Sequence, residues 1–306
     1  MMWLLFAFVS AALLGFYDVF KKKSLQNNAV IPVLFLNTVF CSLLFLPLIA
    51  ASSYGILTRE SSFYIPSPIW EEQQYILLKA CIVLGSWTFG YFSMKHLPLT
   101  TIGPINATRP VMVLIGALII FSERLNACQW IGVALAIVSF FMLSRSSKKE
   151  GIDFEHNKWI YFAVTAALLG AMSALYDKYL MASPTNGGLG LNRMAVQGYY
   201  NFYQCALMSG VMLICRAPKH LWANAFRWDW CIILISVFLT AADFVYFYAL
   251  SLDGALVSVV SMVRRASVIV SFLCGALVFH EKNLRSKTVD LALVLLGMLF
   301  LYFGTD

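Results

Sequence analysis

The sequence predicts an all-α integral membrane protein whose ten transmembrane helices form two inverted five-helix repeats. Composition, recurring apolar runs and an internal match between the two halves predict it. Of 306 residues, 60% are hydrophobic and 12% charged, with a mean hydropathy of +0.77, which is more apolar surface than a water-soluble domain of this length buries. Runs long enough to cross a hydrocarbon core of roughly 30 Å recur at 1–20, 30–52, 74–94, 99–121, 126–143, 158–180, 196–214, 228–250, 254–279 and 286–303. Lipid offers no partner for a free backbone N–H or C=O, so each run is expected to be helical, and no alternating pattern argues for a barrel.

The first run, MMWLLFAFVS onward, lacks a basic leader and a small-residue cleavage site, so it reads as a span and not a signal peptide. Trp70, Trp130, Trp159, Trp222, Trp228 and Trp230 stand near run ends, as an aromatic belt does. Seven cysteines fall in or beside apolar runs without a CxxC pair, which is packing usage. The net charge of +7 has no soluble basic domain to carry a nucleic-acid role. Of the 22 Lys and Arg, fourteen lie in or beside loops after odd-numbered spans, five after even-numbered ones and three inside spans. By the positive-inside rule the odd loops are cytoplasmic and both termini outside.

The second half repeats the first. AALLG at 11–15 recurs at 166–170, Tyr17-Asp18 as Tyr176-Asp177, and Asn37-x3-Cys41 as Asn201-x3-Cys205. Tyr91-Phe92 recurs as Tyr246-Phe247, Arg109 as Arg264, and GALIIFSERL at 116–125 as GALVFHEKNL at 275–284, all in the same order at offsets of 155 to 164. The expected units are 1–147 and 155–306, joined by the charged linker 148–154 within one membrane domain. Five crossings per copy place the second copy upside down, the layout of alternating-access carriers with a midplane site between repeats.

With GALIIFSERL followed by QWIGVALAIVSFFML at 129–143, and GALVFHEKNL in the second copy, the chain resembles the EamA-type members of the drug/metabolite transporter superfamily. The resemblance covers the whole chain and implies a ten-span carrier with both termini cytoplasmic, against the lysine distribution. Where the first copy has Gly132 the second has Asp290, which points to a wetter, more loosely packed tenth helix.

Arg109, Arg264 and Arg265 begin about ten residues into their spans, roughly 15 Å deep. A central arginine costs about 2.5 to 3.5 kcal/mol on insertion scales and by default marks a site or a pathway. The competing reading is helix glue, with Asp243 as partner. Adjacent helical positions diverge by about 100°, so one of Arg264 and Arg265 faces cargo and the other pairs. Arg265, on a stripe with Ser258 and Ser261, is the better candidate for cargo. Asn106 stands one turn before Arg109, with Pro104 able to break the helix there. Further candidates for the lining are Trp87 with Tyr91, Asp243 with Tyr246, and Asn201, Tyr203 and Gln204; Tyr199 and Tyr200 read equally well as interfacial anchors. Asp18 and Asp177, matched across the repeat, read as gates pairing with Lys21, Lys22 or Lys178, or as proton sites. Glu123 and Glu281 read as solvated helix ends with local ion pairs.

A fixed fork of donors suits carboxylate or phosphate, and arginine does not give up its proton to a coupling cycle. The expected activity is therefore secondary active transport of a small anionic or zwitterionic metabolite. The alternatives are a lipophilic-cation or drug exporter centred on Asp243 and a lipid-head-group flippase of the same architecture. An enzyme is disfavoured, because His96, His156, His220 and His280 are scattered and no HExxH or GxSxG motif occurs. No GxxxxGK[ST] loop supports ATP-driven transport. No cofactor or metal is called for. The partners are substrate and the lipids of the inner or plasma membrane, and a monomer suffices although a dimer is allowed.

Overall fold

The computed structural model describes residues 2–61, 63–121, 126–148, 156–181, 184, 187–215, 226–251, 263–281 and 284–303. Glu123, Ser258, Ser261, His220 and Trp222 lie outside them, and so does the start of the run 254–279. The described residues are helical almost throughout, with no strand among them. We number the helices α1 (Met2–Gln26), α2 (Val30–Ser53), α3 (Trp70–His96), α4 (Leu99–Ala107), α5 (Arg109–Phe121), α6 (Ala127–Lys148), α7 (Lys158–Met181), α8 (Arg193–Cys215), α9 (Cys231–Ser251), α10 (Ser267–Leu277) and α11 (Leu284–Phe303). Among these, α1, α2, α3 and α7 are long and apolar enough to cross a membrane, and shorter apolar stretches run over Trp130–Leu143 and Cys231–Tyr246. The chain is a multi-pass membrane protein.

Local chemistry sets several boundaries. Glu72 Oε2 takes the Ile69 N–H at 2.9 Å, satisfying one of the free donors at the start of α3. The run 99–121 is one span by hydropathy but two helices in fact, separated at Thr108. Pro110 has no N–H to give and disfavours helical geometry at the preceding Arg109, so the break falls beside the arginine. The run containing Arg264 and Arg265 turns at Ala266, whose N–H reaches the Val263 carbonyl at 3.0 Å. Each arginine-bearing span therefore has an interrupted backbone next to its charge.

The long helix pairs join the two halves of the sequence. α1 lies along α9, α3 along α7, α2 against α8 and α6 along α11. Serines tie these seams to main-chain carbonyls: Ser10 Oγ to Ala242 O (2.7 Å), Ser86 Oγ to Ala166 O (2.8 Å), Ser42 Oγ to Asn201 O (2.9 Å) and Ser139 Oγ to Asp290 O (2.7 Å). Such bonds suit a solvent in which lipid supplies no competing donor. Ser10 meets Ala242 while Phe20 meets Phe238 and Phe6 meets Tyr248, so α1 and α9 are antiparallel.

α11 begins where α1 ends, because Lys287 Nζ bonds Thr100 Oγ1 (2.8 Å) and Lys22 holds Leu97 O (2.5 Å) three residues away. We call the side where α1 starts the N-terminal face and the other the distal face. The expectation of a wet, loosely packed end near Asp290 is corrected: the residue is 1% exposed, its carbonyl taken up by Ser139 as α6 and α11 close on each other. Lys21, Lys22, Lys95 and Lys287 on the distal side, and Lys79 on the other, are engaged within the bundle. They therefore drop out of the loop-charge difference between the faces. Trp70, Trp130, Trp228 and Trp230 are all at least half exposed at helix ends, as an aromatic belt requires.

Candidate functional site

The candidate residues fall into three tiers along the bundle. Toward the distal face, Lys21 pairs with Asp18 at 3.1 Å, and its ammonium lies over the rings of Tyr17 (4.4 Å) and Tyr91 (5.1 Å). Asp18 and Lys21 share one face of α1 because they are three residues apart. Tyr91 comes from α3, is 1% exposed, and its buried hydroxyl, beside that of Tyr17, completes no hydrogen bond among the described residues. A buried orphan hydroxyl of this kind costs about 1–3 kcal/mol unless a ligand or water meets it.

Toward the N-terminal face, Arg264 pairs with Asp243, its guanidinium also lying 4.5 Å from the centre of the Tyr246 ring. The second carboxylate oxygen takes the Nε2 hydrogen of Gln197 at 2.9 Å, so α8, α9 and the segment before α10 meet at one carboxylate. Beside them Lys79 of α3 pairs with Asp177 of α7, over the Tyr200 ring at 5.1 Å. Sequence offset did not find this pair. Lys79 was counted with the loop charges, yet it is 7% exposed.

Between the tiers stand Arg109 and Arg265. Each lies within electrostatic range of the other, and Asp18 and Tyr17 lie within range of Arg109. Neither arginine forms an ion pair among the described residues. The Arg109 Nε is buried without an acceptor among the described residues, its guanidinium lying against the α7 backbone at Gly170. Counting the groups the two tiers supply around them, Arg109, Arg264, Arg265 and Lys21 face Asp18 and Asp243, while Lys79 and Asp177 balance. Two positive charges are left over among the described residues.

The other candidates separate. Gln204 is fully buried and neither end of its amide has a partner among the described residues. Asn201 donates within its own helix to Gln197 O at 2.8 Å. Tyr203 turns away from the arginines to donate to Gln73 Oε1 at 3.0 Å, joining α8 to α3. Trp87 packs as one of the apolar side chains around the main core, and Asn106 sits two residues before the break at Thr108. Asn37, matched to Asn201 across the repeat, was not singled out. Its Oδ1 takes the Ser236 hydroxyl at 2.9 Å and its Nδ2 is buried without a partner among the described residues.

Two readings are corrected. Lys22 pairs with no aspartate among the described residues; its ammonium donates to the carbonyls of Met94 (2.8 Å) and Leu97 (2.5 Å) at the end of α3, the place where a helix presents unsatisfied oxygens. Glu281 is no solvated helix end. It accepts the N–H groups of Leu99 (2.6 Å) and Thr100 (2.8 Å) and the Thr100 hydroxyl (2.5 Å), so a residue beyond α10 caps α4. Glu281 lies within electrostatic range of Lys22, so the α3–α4 corner is held from both halves of the chain. Among the described residues no group of acidic, histidine or cysteine side chains is arranged to hold a metal.

Compared with known sequences, residues 1–145 match the model of the EamA-like transporter family. That family is part of the drug/metabolite transporter superfamily, whose members are membrane transporters. The EamA-like segment carries Asp18, Lys22, Trp87, Tyr91, Asn106 and Arg109; the remaining candidates lie beyond it. No curated protein matches the chain. Among solved structures, one described only as "Crystal structure of protein" superposes with a TM-score of 0.61 at 12% identity, covering 100% of this chain and 99% of that one. At that identity the likeness concerns the fold alone.

Proposed function

We propose that the protein is a secondary active transporter that moves a small anionic or zwitterionic metabolite across the inner or plasma membrane by alternating access. The observation that carries this reading is the pair of guanidiniums between the two charged tiers, Arg109 and Arg265, which have no carboxylate partner among the described residues. An ionic fork held in a low-dielectric interior is costly until an anion meets it, and guanidinium geometry matches carboxylate or phosphate in a bidentate way. A cation-centred site is less favourable, since both oxygens of Asp243 are already taken by Arg264 and Gln197.

Ten crossings in two inverted repeats, 1–147 and 155–306, are part of the same reading. The support is the exchange relation among helix pairs: α1 with α9 mirrors α7 with α3, and α2 with α8 and α6 with α11 pair equivalent helices of the two copies. The charged tiers on either side of the arginines then serve as the two gates, Asp18 with Lys21 toward one face and Asp177 with Lys79 toward the other.

A lipid-head-group flippase is a second reading with one observation in its favour. A groove of about 300 Å³ between α2, α8 and α9, lined by Leu44, Phe45, Val237 and Phe244, reaches Gln197, the partner of Asp243. The deciding experiment is a thermal-shift series on detergent-purified protein with L-glutamate, succinate, inorganic phosphate, tetraphenylphosphonium and a short-chain phosphatidylglycerol, repeated on Arg265→Ala. A ligand bound by the native state alone raises Tm by mass action. The metabolite reading expects a soluble anion to raise Tm in the wild type, with the gain lost in the variant while the variant's own fold persists. Stabilisation by tetraphenylphosphonium that survives the substitution overturns it, and stabilisation by the lipid alone moves the assignment to the flippase.

A further inference from the structure

The AALLG motif that occurs at 11–15 and again at 166–170 ends in a glycine both times, and the two glycines meet different neighbours. A Cβ at Gly15 would stand 2.5 Å from Val270 Cβ and 2.9 Å from the Ser267 carbonyl, both held by helix α10. A Cβ at Gly170 would stand 2.9 Å from Arg109 Cζ, 3.0 Å from Nη1 and 3.2 Å from Nε. Those atoms are the charged end of a long side chain, which moves at low cost. The first glycine is a requirement of helix packing; the second controls where a charge sits.

We propose that Gly170 is a positioning residue for the anion site: its missing Cβ lets the Arg109 guanidinium lie flat against the α7 backbone, at the height where it comes within range of Arg265. This rests on the reading that Arg109 meets the transported anion. Three features support the role. The break at Thr108 places Arg109 at the first position of α5, where its side chain leaves the helix toward α7. Its Nε is buried and without an acceptor among the described residues, so no hydrogen bond to them on that atom competes to fix the group. Any side chain at 170 closes the slot, and the guanidinium must swing off the backbone by the ångström or so that separates 2.9 Å from ordinary contact.

The test is a double-mutant cycle on the full-length protein, Gly170→Ala with Arg109→Ala, read by the concentration of succinate, L-glutamate or inorganic phosphate needed for half-maximal thermal stabilisation. Gly170→Ala is expected to weaken anion binding on the order of tenfold, as a misplacement of about 1 Å does in a preorganised site. In the Arg109→Ala background the same change is expected to leave binding unmoved and to raise the Tm of the unliganded protein, since alanine is the better helix former once the slot is empty. Equal effects in the two backgrounds overturn the proposal and make Gly170 a packing glycine like Gly15. If Gly170→Ala alone fails to fold, recovery of folding on adding Arg109→Ala supports the contact, and failure in both overturns it. Loss of binding in Arg109→Ala with wild-type binding in Gly170→Ala removes the positioning role and leaves the site standing. Wild-type binding in Arg109→Ala, or an anion series that stabilises no form of the protein, removes the site and this role together.

Discussion

Arg264→Ala is expected to destabilise the protein by about 3–5 kcal/mol, the range seen when one partner of a buried ion pair is removed. The substitution leaves Asp243, 14% exposed at its side chain, with Gln197 Nε2 as its remaining donor among the described residues. It also strips the cation from the Tyr246 ring. The penalty belongs to the stranded carboxylate more than to the lost attraction. Arg264→Met combined with Asp243→Leu is therefore expected to recover most of the loss, since an apolar pair of similar volume needs no partners. Thermal unfolding of the single and double variants in one detergent decides it. If Arg264→Ala melts with the wild type, the pair contributes nothing and Arg264 is available to cargo after all.

The second large effect lies at the distal face. Glu281→Ala removes three hydrogen bonds at once and leaves the Leu99 and Thr100 N–H groups without their acceptor at the start of α4. It also takes away the carboxylate next to Lys287, an ammonium with no solvent exposure whose bond is to the same threonine hydroxyl. Charged hydrogen bonds contribute about 1.5–3 kcal/mol each, and they share a partner here, so a loss on the order of 3 kcal/mol is expected rather than their full sum. Hydrogen exchange across residues 97–103 is expected to rise sharply in the variant and only partly in Glu281→Gln, which keeps one acceptor oxygen. Unchanged exchange over that segment would show that the α4 start is held by something else.

Much of the fold was legible because it follows from one solvent. Apolar length located the helices of the first half well, and the sequence match between the halves pointed to Arg109 and Arg264 alike, although Arg264 is paired with Asp243 and Arg109 meets no carboxylate among the described residues. The pairing of Arg264 with Asp243 was also within reach, since few deep carboxylates exist to choose from. What sequence concealed were contacts to the main chain. Lys22 binds two carbonyls and Glu281 two amides, and backbone acceptors and donors carry no residue letter. Lys79 was hidden for another reason: hydropathy assigns a lysine near a span end to the loop, whereas Asp177 on a helix from the other half draws it inside. Tyr203 was misdirected by its helical face, because the partner that decides its orientation, Gln73, sits on α3. Gly170 stood in plain view inside a repeated motif. Its difference from Gly15 exists only in what α5 and α10 bring against it.

The partnership of α1 with α9 and of α3 with α7 sets a timetable for making the protein. When roughly the first 150 residues have left the ribosome, Ser10 has no Ala242 to bond, Lys79 has no Asp177, and the α4 start has no Glu281. At 5–20 residues per second the missing helices arrive roughly 8–30 s later. Through that interval a buried lysine and several seams of exposed main chain sit in the bilayer or its insertion machinery unmatched. A chain truncated after residue 155 is thus expected to be cleared within minutes in pulse-labelled cells, while one supplied with residues 156–306 as a separate polypeptide persists; equal lifetimes for the two would mean that the first half completes its folding alone.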